Sequence, residues 1–372
     1  MEKEFNYLRV YRGIKEAIKR GDYAANSKIP TEAELQEIYG VSRITLKKAM
    51  QMLRDESLIC RFPGKGTFVK ETSSLDMLMD ERNMKPMVIG VMIPQIYSSF
   101  GSMILSGISR QANSRGCCLL SGLYYESVDQ ETEIITRMIN SGCSGIIAIP
   151  FHSDEGANFG LVNCAMNGFP MVMVDRYIEG ISLPYVGSDH EQAAFAAMNH
   201  LFSLGHKNIG LISSAPTTTA IIDRGRGYMR GYAMTPYQVN PISIMSNICS
   251  SMPGKCSAEN FRIDVEQMKE YFRENTECTA LLCIDYNIMR ICETAAKELG
   301  MRIPEDLSLV CFDAPDDTII RSEYTHIRQR ENEIGRVAVD MLLDAIERRG
   351  NNQRVSIDTD LCVGTSTAVP RK

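Results

Sequence analysis

Basic and hydroxyl-bearing side chains are concentrated between positions 28 and 69 of this sequence. Guanidinium, ammonium and hydroxyl donors can bind the phosphate oxygens and base edges of double-stranded DNA. Taken alone, such charges could equally form an ordinary solvated helix face. A basic turn follows them closely, however, and the two features together favour a DNA interface. The candidates for DNA contact are Ser42, Arg43, Thr45, Lys47, Lys65 and Gly66.

Two short helices are predicted to position these side chains. Pro30 disfavours helical geometry at the preceding residue, so the first helix begins after it. Thr31 and Glu34 have the spacing of a capping box, and Gly40 ends that helix. Ser42 can cap the next helix, which presents a basic face outward, as a helix in a major groove does. The apolar face of that helix comprises Leu46, Ala49, Met50 and Leu53.

A β-hairpin is expected after the second helix. Segments 58–62 and 67–70 flank the tight turn Pro63-Gly64-Lys65-Gly66, which places a lysine at its tip. An earlier stripe of apolar and aromatic residues at helical spacing would complete a three-helix core. That stripe comprises Tyr7, Leu8, Tyr11, Ile14 and Ile18.

This stretch resembles the GntR family of bacterial regulators over about residues 5–70. The resemblance implies a winged helix-turn-helix, with the candidates between 42 and 47 at the head of the recognition helix and Lys65-Gly66 at the wing tip. The family often has a DNA-contacting arginine after the Thr-Glu pair; Ala33 stands here, so that contact is expected to be absent. The matching residues are Ile29-Pro30-Thr31-Glu32, Leu35, Gly40-Val41-Ser42-Arg43, Thr45, Gly64 and Gly66-Thr67-Phe68-Val69.

Charge is divided unevenly along the 372 residues. Residues 1–70 hold 14 Lys/Arg against 9 Asp/Glu, a net of +5, whereas the remainder has 26 against 37, a net of −11. An acidic protein with a basic head is expected to bind nucleic acid through that head. Because phosphate neutralisation releases counterions, its affinity should fall steeply with salt.

Composition indicates a globular protein, with 44% hydrophobic and 23% charged residues. No apolar run approaches the ~20 residues of a membrane span, and the opening MEKEFNYLRV lacks the apolar core of a signal peptide. The 12 cysteines include no CxxC pair, and the five histidines show no ligand spacing. We therefore expect a cytoplasmic protein with reduced thiols, no structural metal and no cofactor.

From Met87 onward, short apolar segments alternate with amphipathic helices; among them we predict a helix at Arg224–Ala233 and a strand at Ile242–Cys249. This alternation predicts parallel sheets covered by helices on both faces. Two such series in tandem suggest two doubly wound lobes. The expected fold is multi-domain α/β: a winged helix-turn-helix at 1–70, a polar linker at 71–86, and a two-lobed effector-binding and dimerisation domain at 87–372.

Polar and aromatic residues follow several of the predicted strands, where doubly wound sheets bind their ligands. Carboxylates, an arginine and an amide can pair with hydroxyl groups, while ring faces pack on the C–H surface of a sugar. For any one residue, a loop cap or surface position is the alternative, but their equivalent placement favours a site. The candidates for effector binding are Tyr97, Phe100, Asp175, Arg176, Arg224, Asp285 and Gln329.

The segment from about Val88 to Ala368 resembles the effector domain of the LacI/GalR family, which has the fold of periplasmic sugar-binding proteins. The resemblance implies that Asp175, Arg224 and Gln329 contact a sugar, with Phe100 and Tyr97 beside the first strand. The matches are Ile89-Gly90-Val91, Ile93-Pro94, Met173-Val174-Asp175-Arg176, Val186-Gly187-Ser188-Asp189, Leu204-Gly205-His206-Lys207-Asn208-Ile209, Arg224, Gly227-Tyr228, Leu307-Ser308-Leu309-Val310, Phe312-Asp313 and Ser366-Thr367-Ala368.

Two assignments stay open within this resemblance. The family usually has Asn-Asp where this chain has Asp285-Tyr286, so either residue could replace the aspartate that binds hydroxyl groups. Arg226 and Arg230 lie near Arg224, and only the spacing of Arg224 to the Gly-Tyr pair at 227–228 favours it.

A GntR-like head on a LacI-like body resembles AraR-type hybrid regulators. The resemblance implies a homodimeric transcriptional regulator, more specifically a repressor, that binds an operator in double-stranded DNA and responds to a small, sugar-like effector. The alternative is a sugar-binding receptor of the periplasmic-binding-protein class without regulatory coupling. Catalysis is not expected, because the sequence has no GxSxG, GxxxxGK[ST] or HExxH motif.

Overall fold

The computed structural model describes residues 6–62, 65–70, 86–94, 99–124, 128–151, 159–252, 254–315, 322–347 and 353–371. The chain divides into two compact units, Met1–Lys85 and Pro86–Lys372, called the head and the body below. Apart from Pro86, the expected linker at 71–86 lies outside the described residues, and the domain boundaries stay a prediction. In the ranges given above, no helix is long and apolar enough to cross a membrane.

The head consists of three helices and a two-stranded antiparallel sheet. These elements are α1 (Asn6–Arg20), α2 (Glu32–Tyr39), α3 (Arg43–Asp55), β1 (Ile59–Phe62) and β2 (Gly66–Val69). Residues from every element form its core, including the fully buried Ile14, Leu35 and Leu46. The expected winged helix-turn-helix is confirmed.

Capping chemistry sets the helix boundaries in the head, as predicted. The Thr31 hydroxyl accepts from the Glu34 amide, and the Glu34 carboxylate accepts from the Thr31 amide at 2.7 Å. Gly40 ends α2 in the left-handed region at φ 62°, which costs least for a residue without a Cβ. Ser42 then caps α3 by accepting from the Thr45 amide. The turn between α2 and α3 is therefore fixed by local hydrogen bonds.

The body contains two lobes, each built on a six-stranded sheet. Its elements in chain order are β3 (Val88–Pro94), α4 (Ser99–Ser114), β4 (Cys118–Tyr124), α5 (Val128–Asn140), β5 (Gly145–Ala148), α6 (Phe159–Met166), β6 (Met171–Val174), β7 (Tyr185–Ser188), α7 (His190–Ser203), β8 (Ile209–Ile212), α8 (Thr219–Ala233), β9 (Ile244–Met245), α9 (Ala258–Glu274), β10 (Ala280–Cys283), α10 (Tyr286–Glu298), β11 (Ser308–Phe312), β12 (Thr325–Arg328), α11 (Glu331–Ile346), β13 (Arg354–Ile357) and β14 (Asp360–Cys362).

The strand order is β13-β7-β6-β5-β3-β4 in the first lobe and β14-β12-β11-β10-β8-β9 in the second. Neighbouring strands are parallel throughout, except that β14 runs antiparallel to β12. Helix α11 packs on α4 and so belongs to the first lobe, although it follows β12 of the second. The chain therefore passes between the lobes three times, at residues 188–190, 328–331 and 357–360. The predicted pair of doubly wound lobes is confirmed.

Two expected elements of the body differ in extent. Helix α8 begins at Thr219 rather than at Arg224, because the Thr218 hydroxyl caps it by accepting from the Ile221 amide. The strand expected at 242–249 is wrong in length: a 3₁₀ turn at Pro241–Ser243 leads into only two strand residues. Pro241 has no amide hydrogen to donate to a sheet, and Asn240 caps the turn that replaces it.

Two glycines allow α4 and α11 to approach closely. A Cβ on Gly335 would collide with the carbonyl oxygen of Ile104, and a Cβ on Gly107 would collide with that of Asn332. Both obstacles are backbone atoms, which cannot rotate away as a side-chain end can. The main helix pair of the first lobe therefore requires a residue without a side chain at both positions.

Gly335→Ala is expected to destabilise the body by about 1–3 kcal/mol, because the added methyl group overpacks this contact. Gly225→Ala is the matched control: Gly225 also lies in a helix, but a Cβ there meets open space. The control should gain up to about 1 kcal/mol from helix propensity. Urea unfolding followed by circular dichroism would measure both, and equal stability of the two variants would contradict the packing argument.

Candidate DNA interface and candidate effector site

In the head, the structure places the predicted DNA-contacting residues on the recognition helix and at the hairpin tip. Arg43 and Lys47 are exposed on α3, opposite the buried face that carries Leu46 and Leu53. The Ser42 hydroxyl lies 2.9 Å from that of Thr45, so both groups sit at the first turn of the helix. This surface presents hydroxyl groups and positive charge around one helix end.

The wing tip lies at the start of β2. Lys65 is exposed in the turn, and its amide donates to the Phe62 carbonyl. Gly66 adopts φ 117°, and a Cβ there would collide with the Lys28 side chain. Glycine at this position therefore allows the wing to fold against the segment before α2, where the Ile29 amide donates to the Thr67 carbonyl. The remaining turn residues at 63–64 lie outside the described ranges.

In the body, two aspartates occupy equivalent positions in the two lobes. Asp175 directly follows β6 and Asp313 directly follows β11, at φ 65° and 59°. Non-glycine residues rarely adopt this left-handed conformation, and such strained residues are concentrated at functional sites. Each lobe therefore directs one carboxylate beyond the carboxyl end of its sheet.

A buried chain of polar contacts links the two lobes. Arg224 of α8 donates from Nε to His190 Nδ1 at 3.3 Å, and His190 Nε2 lies 3.5 Å from Asp175 Oδ1. Because the guanidinium can only donate, Nδ1 accepts and the proton of the neutral ring stands on Nε2, facing the carboxylate. Burial alone would raise the pKa of Asp175, but the His190 contact and the Arg176 and Arg224 charges lower it to about 2.

Arg224 is distinguished from its neighbours by burial. Only 7% of Arg224 is exposed; its Nη1 donates to the Ile284 carbonyl at 2.5 Å, and its guanidinium lies 3.9 Å from the centre of the Phe312 ring. Arg226 instead pairs with Asp223 at the surface, and Arg230 pairs with Glu191. The structure thus places only Arg224 of these three arginines beside the predicted site residues.

Gln329 and Asp313 form the second polar pair of the site. Gln329 is buried after β12, and its Nε2 donates to both carboxylate oxygens of Asp313, at 2.9 and 3.0 Å. Asp313 Oδ2 also lies 3.7 Å from Arg224 Nη2. Burial raises the pKa of Asp313, and the negative charge of Asp175 adds to that rise, while Arg224 and Gln329 oppose it.

Asp285 acts as a helix cap, and Tyr286 packs against aromatic and apolar neighbours. The Asp285 carboxylate accepts from the Ile288 amide at 2.8 Å, and a backbone hydrogen bond from Asn287 also acts on it. The Tyr286 ring packs edge-on against Tyr324, with centroids 6.0 Å apart. Burial raises the pKa of Asp285 to about 6, against the opposing effects of the Ile288 amide and Arg224.

The remaining candidates lie at the edge of this group. Phe100 is half-buried in α4 and packs against the core of the first lobe. Arg176 donates from Nε to Asp175 Oδ2 at 3.3 Å. Tyr97 lies outside the described residues. The structure therefore brings together Asp175, Arg176 and Arg224. Asp285 is close to Arg224 because Arg224 donates to the carbonyl of the preceding Ile284. Gln329 is close to it because Gln329 donates to Asp313, which lies beside Arg224.

Three buried polar atoms around this group have no hydrogen-bond partner among the described residues: Ser188 Oγ, His190 Nε2 and Gln329 Oε1. His190 Nε2 has only the long contact to Asp175. Buried polar atoms are normally satisfied, and an unsatisfied one costs about 1–3 kcal/mol. Ser188 and Gln329 border two of the three crossovers between the lobes. A ligand with hydroxyl groups could supply the missing partners.

Sequence reasoning left His190 and Asp313 out of the candidate set. Asp313 was recognised only as a residue that follows a strand, and its equivalence to Asp175 was the available signal. His190 had no such signal, because its contact with Asp175 depends on how the first crossover places the start of α7. His190 connects Asp175 with Arg224, and Asp313 connects Arg224 with Gln329.

The comparisons with known proteins agree with this architecture. Residues 6–69 match the bacterial regulatory proteins of the gntR family, and residues 198–367 match the periplasmic binding protein-like domain. The arabinose metabolism transcriptional repressor of Geobacillus stearothermophilus is 27% identical over 92% of each chain. The HTH-type transcriptional repressor CytR of Escherichia coli strain K12 is 29% identical over 75% of this chain and 79% of its own.

A solved structure of the lac repressor dimer, bound to operator and the anti-inducer ONPF, has the same fold as the body. It superposes with a TM-score of 0.65 at 19% identity, covering 78% of this chain and 98% of the repressor chain. At that identity the likeness shows the fold alone.

Fold and relatives together favour a transcriptional regulator with a helix-turn-helix head and a two-lobed body of the periplasmic-binding-protein type. More specifically, the chain joins a GntR-type helix-turn-helix domain to a periplasmic-binding-protein-like domain. The relatives given above are named as repressors, so the regulatory interpretation is favoured over a receptor without regulatory coupling.

Asp285→Asn is expected to stabilise the body at pH 8 by about 3 kcal/mol. The folded pKa of Asp285, about 6, lies above its ordinary value of 3.8, so ionisation destabilises the folded state increasingly as pH rises from about 4 to 6, and fully above that. Asparagine keeps an acceptor oxygen for the helix cap without the charge. Thermal unfolding from pH 4.5 to 8 would measure a gain that grows with pH, and a pH-independent gain would contradict this explanation.

Proposed function

We propose that the protein is a homodimeric, sequence-specific DNA-binding repressor whose operator affinity is controlled by a small sugar-like effector held between the two lobes of the body. The observation that carries the effector proposal is the set of three unpartnered buried polar atoms at Ser188, His190 and Gln329. His190 and Gln329 belong to the chain of polar groups that reaches both lobes, and Ser188 lies two positions before His190 at the first crossover. A ligand that completes these hydrogen bonds would favour one arrangement of the lobes over another.

The charge of the site favours an uncharged effector. Burial raises the pKa of Glu331, at the second crossover, to about 7, and the nearby charge of Asp313 contributes to that rise. Arg224 already lies among His190, Ile284 and Asp313, and Arg176 pairs with Asp175. A phosphate group would have to compete with these carboxylates for either guanidinium. Hydroxyl groups can instead donate to the carboxylates and accept from the cations.

The homodimer follows from the geometry of operator binding. One recognition helix covers only a few base pairs, so helix-turn-helix proteins pair two heads on neighbouring half-sites. The solved lac repressor is a dimer bound to operator, and the body here shares that fold. Effector binding would alter affinity by changing how the two heads are spaced, which requires the effector to prefer one state of the body.

We also infer that the chain is not an enzyme and that it acts in the cytoplasm, where its DNA target lies. The ring nitrogens of His190 face Arg224 and Asp175. That placement suits a structural link between charged groups better than a general base beside a nucleophile.

Arg43→Ala is expected to weaken operator binding at least tenfold and to reduce its salt dependence, because it removes a charged donor from the recognition helix. Arg20→Ala is the control: it also removes one positive charge from the head, but at the end of α1, where Arg20 pairs with Asp22. Fluorescence anisotropy against a duplex selected from random DNA would measure both. Equal losses in the two variants would contradict a specific contact by Arg43.

Arg224→Ala is expected to abolish the effect of the effector on DNA binding, because it removes the buried guanidinium that contacts His190 and Asp313. The first probe is L-arabinose, chosen from the name of the Geobacillus relative, followed by D-ribose, D-xylose and cytidine. Arg226→Ala, two positions away at the surface, should respond like the unaltered protein. Operator affinity that no probe changes would count against effector control, and an unaltered response in Arg224→Ala would remove Arg224 from the site.

A further inference from the structure

The recognition helix α3 carries one strongly exposed apolar residue. Ile44, the second residue of α3, is 84% exposed, although α3 has a well-formed apolar face on its opposite side. Ile44 is not part of the head core, which takes Leu46, Ala49, Met50 and Leu53 from this helix. The side chain therefore contributes nothing to the packing of the head.

The position of Ile44 places it at the centre of the candidate DNA interface. Residues at i, i+3, i+4 and i+7 share one face of a helix, so Ile44 lies in line with Lys47, Lys48 and Gln51. All three are exposed and polar. Ile44 is thus the apolar end of a basic stripe, and it is flanked along the chain by the exposed Arg43 and by Thr45.

The chemistry of the major groove offers one apolar feature that fits this arrangement. The C5-methyl group of thymine projects into the groove, where apolar side chains contact it. Helix-turn-helix proteins contact base edges with the N-terminal residues of the recognition helix. The charges around Ile44 can hold phosphates, but an isoleucine can form no hydrogen bond, so the contact available to it is apolar.

We propose that Ile44 is a specificity-determining residue that recognises a thymine methyl group in each operator half-site. This inference rests on the proposed DNA-binding function and adds a base preference to it. The basic neighbours of Ile44 favour DNA as the partner over a second protein surface, because an apolar protein contact would bury their charges.

The test starts from a selection of binding sites out of random double-stranded DNA, using the full chain and the variants Ile44→Ala and Ile38→Ala. Ile38 is a matched control: it is also an exposed isoleucine of the head, with 61% of its surface accessible, but it lies on α2. Because both side chains are exposed, neither substitution should lower the thermal midpoint of unfolding. The unaltered protein and Ile38→Ala should select the same motif, whereas Ile44→Ala should lose the preference for thymine at one position of each half-site.

Replacing that thymine by deoxyuridine removes only the methyl group and so tests the contact directly. Affinity of the unaltered protein should fall about fourfold for each substituted half-site, the effect of one lost apolar methyl contact. The Ile44→Ala variant should bind both duplexes equally, because the two changes remove the same interaction.

The outcomes separate this inference from the function on which it rests. If the unaltered protein selects no motif, both the sequence-specific function and the role of Ile44 are overturned. If it selects a motif that Ile44→Ala also selects, and deoxyuridine has no effect, only the role of Ile44 is overturned. A variant that keeps the motif but sediments as a smaller species would place Ile44 between two copies of the chain and would equally overturn it.

Discussion

The body depends on a buried chain of charged and polar groups where its two lobes meet. Asp175 comes from the first lobe, His190 begins the first helix after the crossover, and Arg224 and Asp313 come from the second lobe. Removing any one of them would leave an uncompensated charge or donor in a place that water scarcely reaches, which costs several kcal/mol. The contact between Asp175 and His190 therefore ties the two lobes to one another at this point.

The same network limits what kind of ligand the site can hold. Its cations are already paired, its carboxylates are crowded, and the polar atoms left over are a hydroxyl, an imidazole nitrogen and an amide oxygen. These atoms favour an uncharged ligand whose groups can both donate and accept hydrogen bonds. Under the proposed function, specificity would then depend on the number and spacing of hydroxyl groups rather than on net charge.

Local chemistry made the head predictable, whereas long-range pairing limited what could be predicted of the body. Thr31, Gly40 and Ser42 act on residues within one helical turn, so their types alone locate the ends of α2 and the start of α3. Strand β13 pairs with β7, about 170 positions earlier in the chain, and its half-exposed pattern gives little periodicity to detect. His190 was missed for the same reason: its partner is set by tertiary structure, whereas Asp175 and Gln329 could be identified from the strands that precede them.

The threading of the chain between the lobes has a consequence for the order of events during synthesis. Two elements of the first lobe, α11 and β13, come from residues 331–357. The sheet and the main helix pair of this lobe therefore stay incomplete until residue 357 has left the ribosome. The head takes its core from residues 10–69 alone and can fold early. For part of its synthesis the nascent chain therefore has a folded head and an incomplete body. Effector control of the head becomes possible only when the last crossovers are complete and the body has folded.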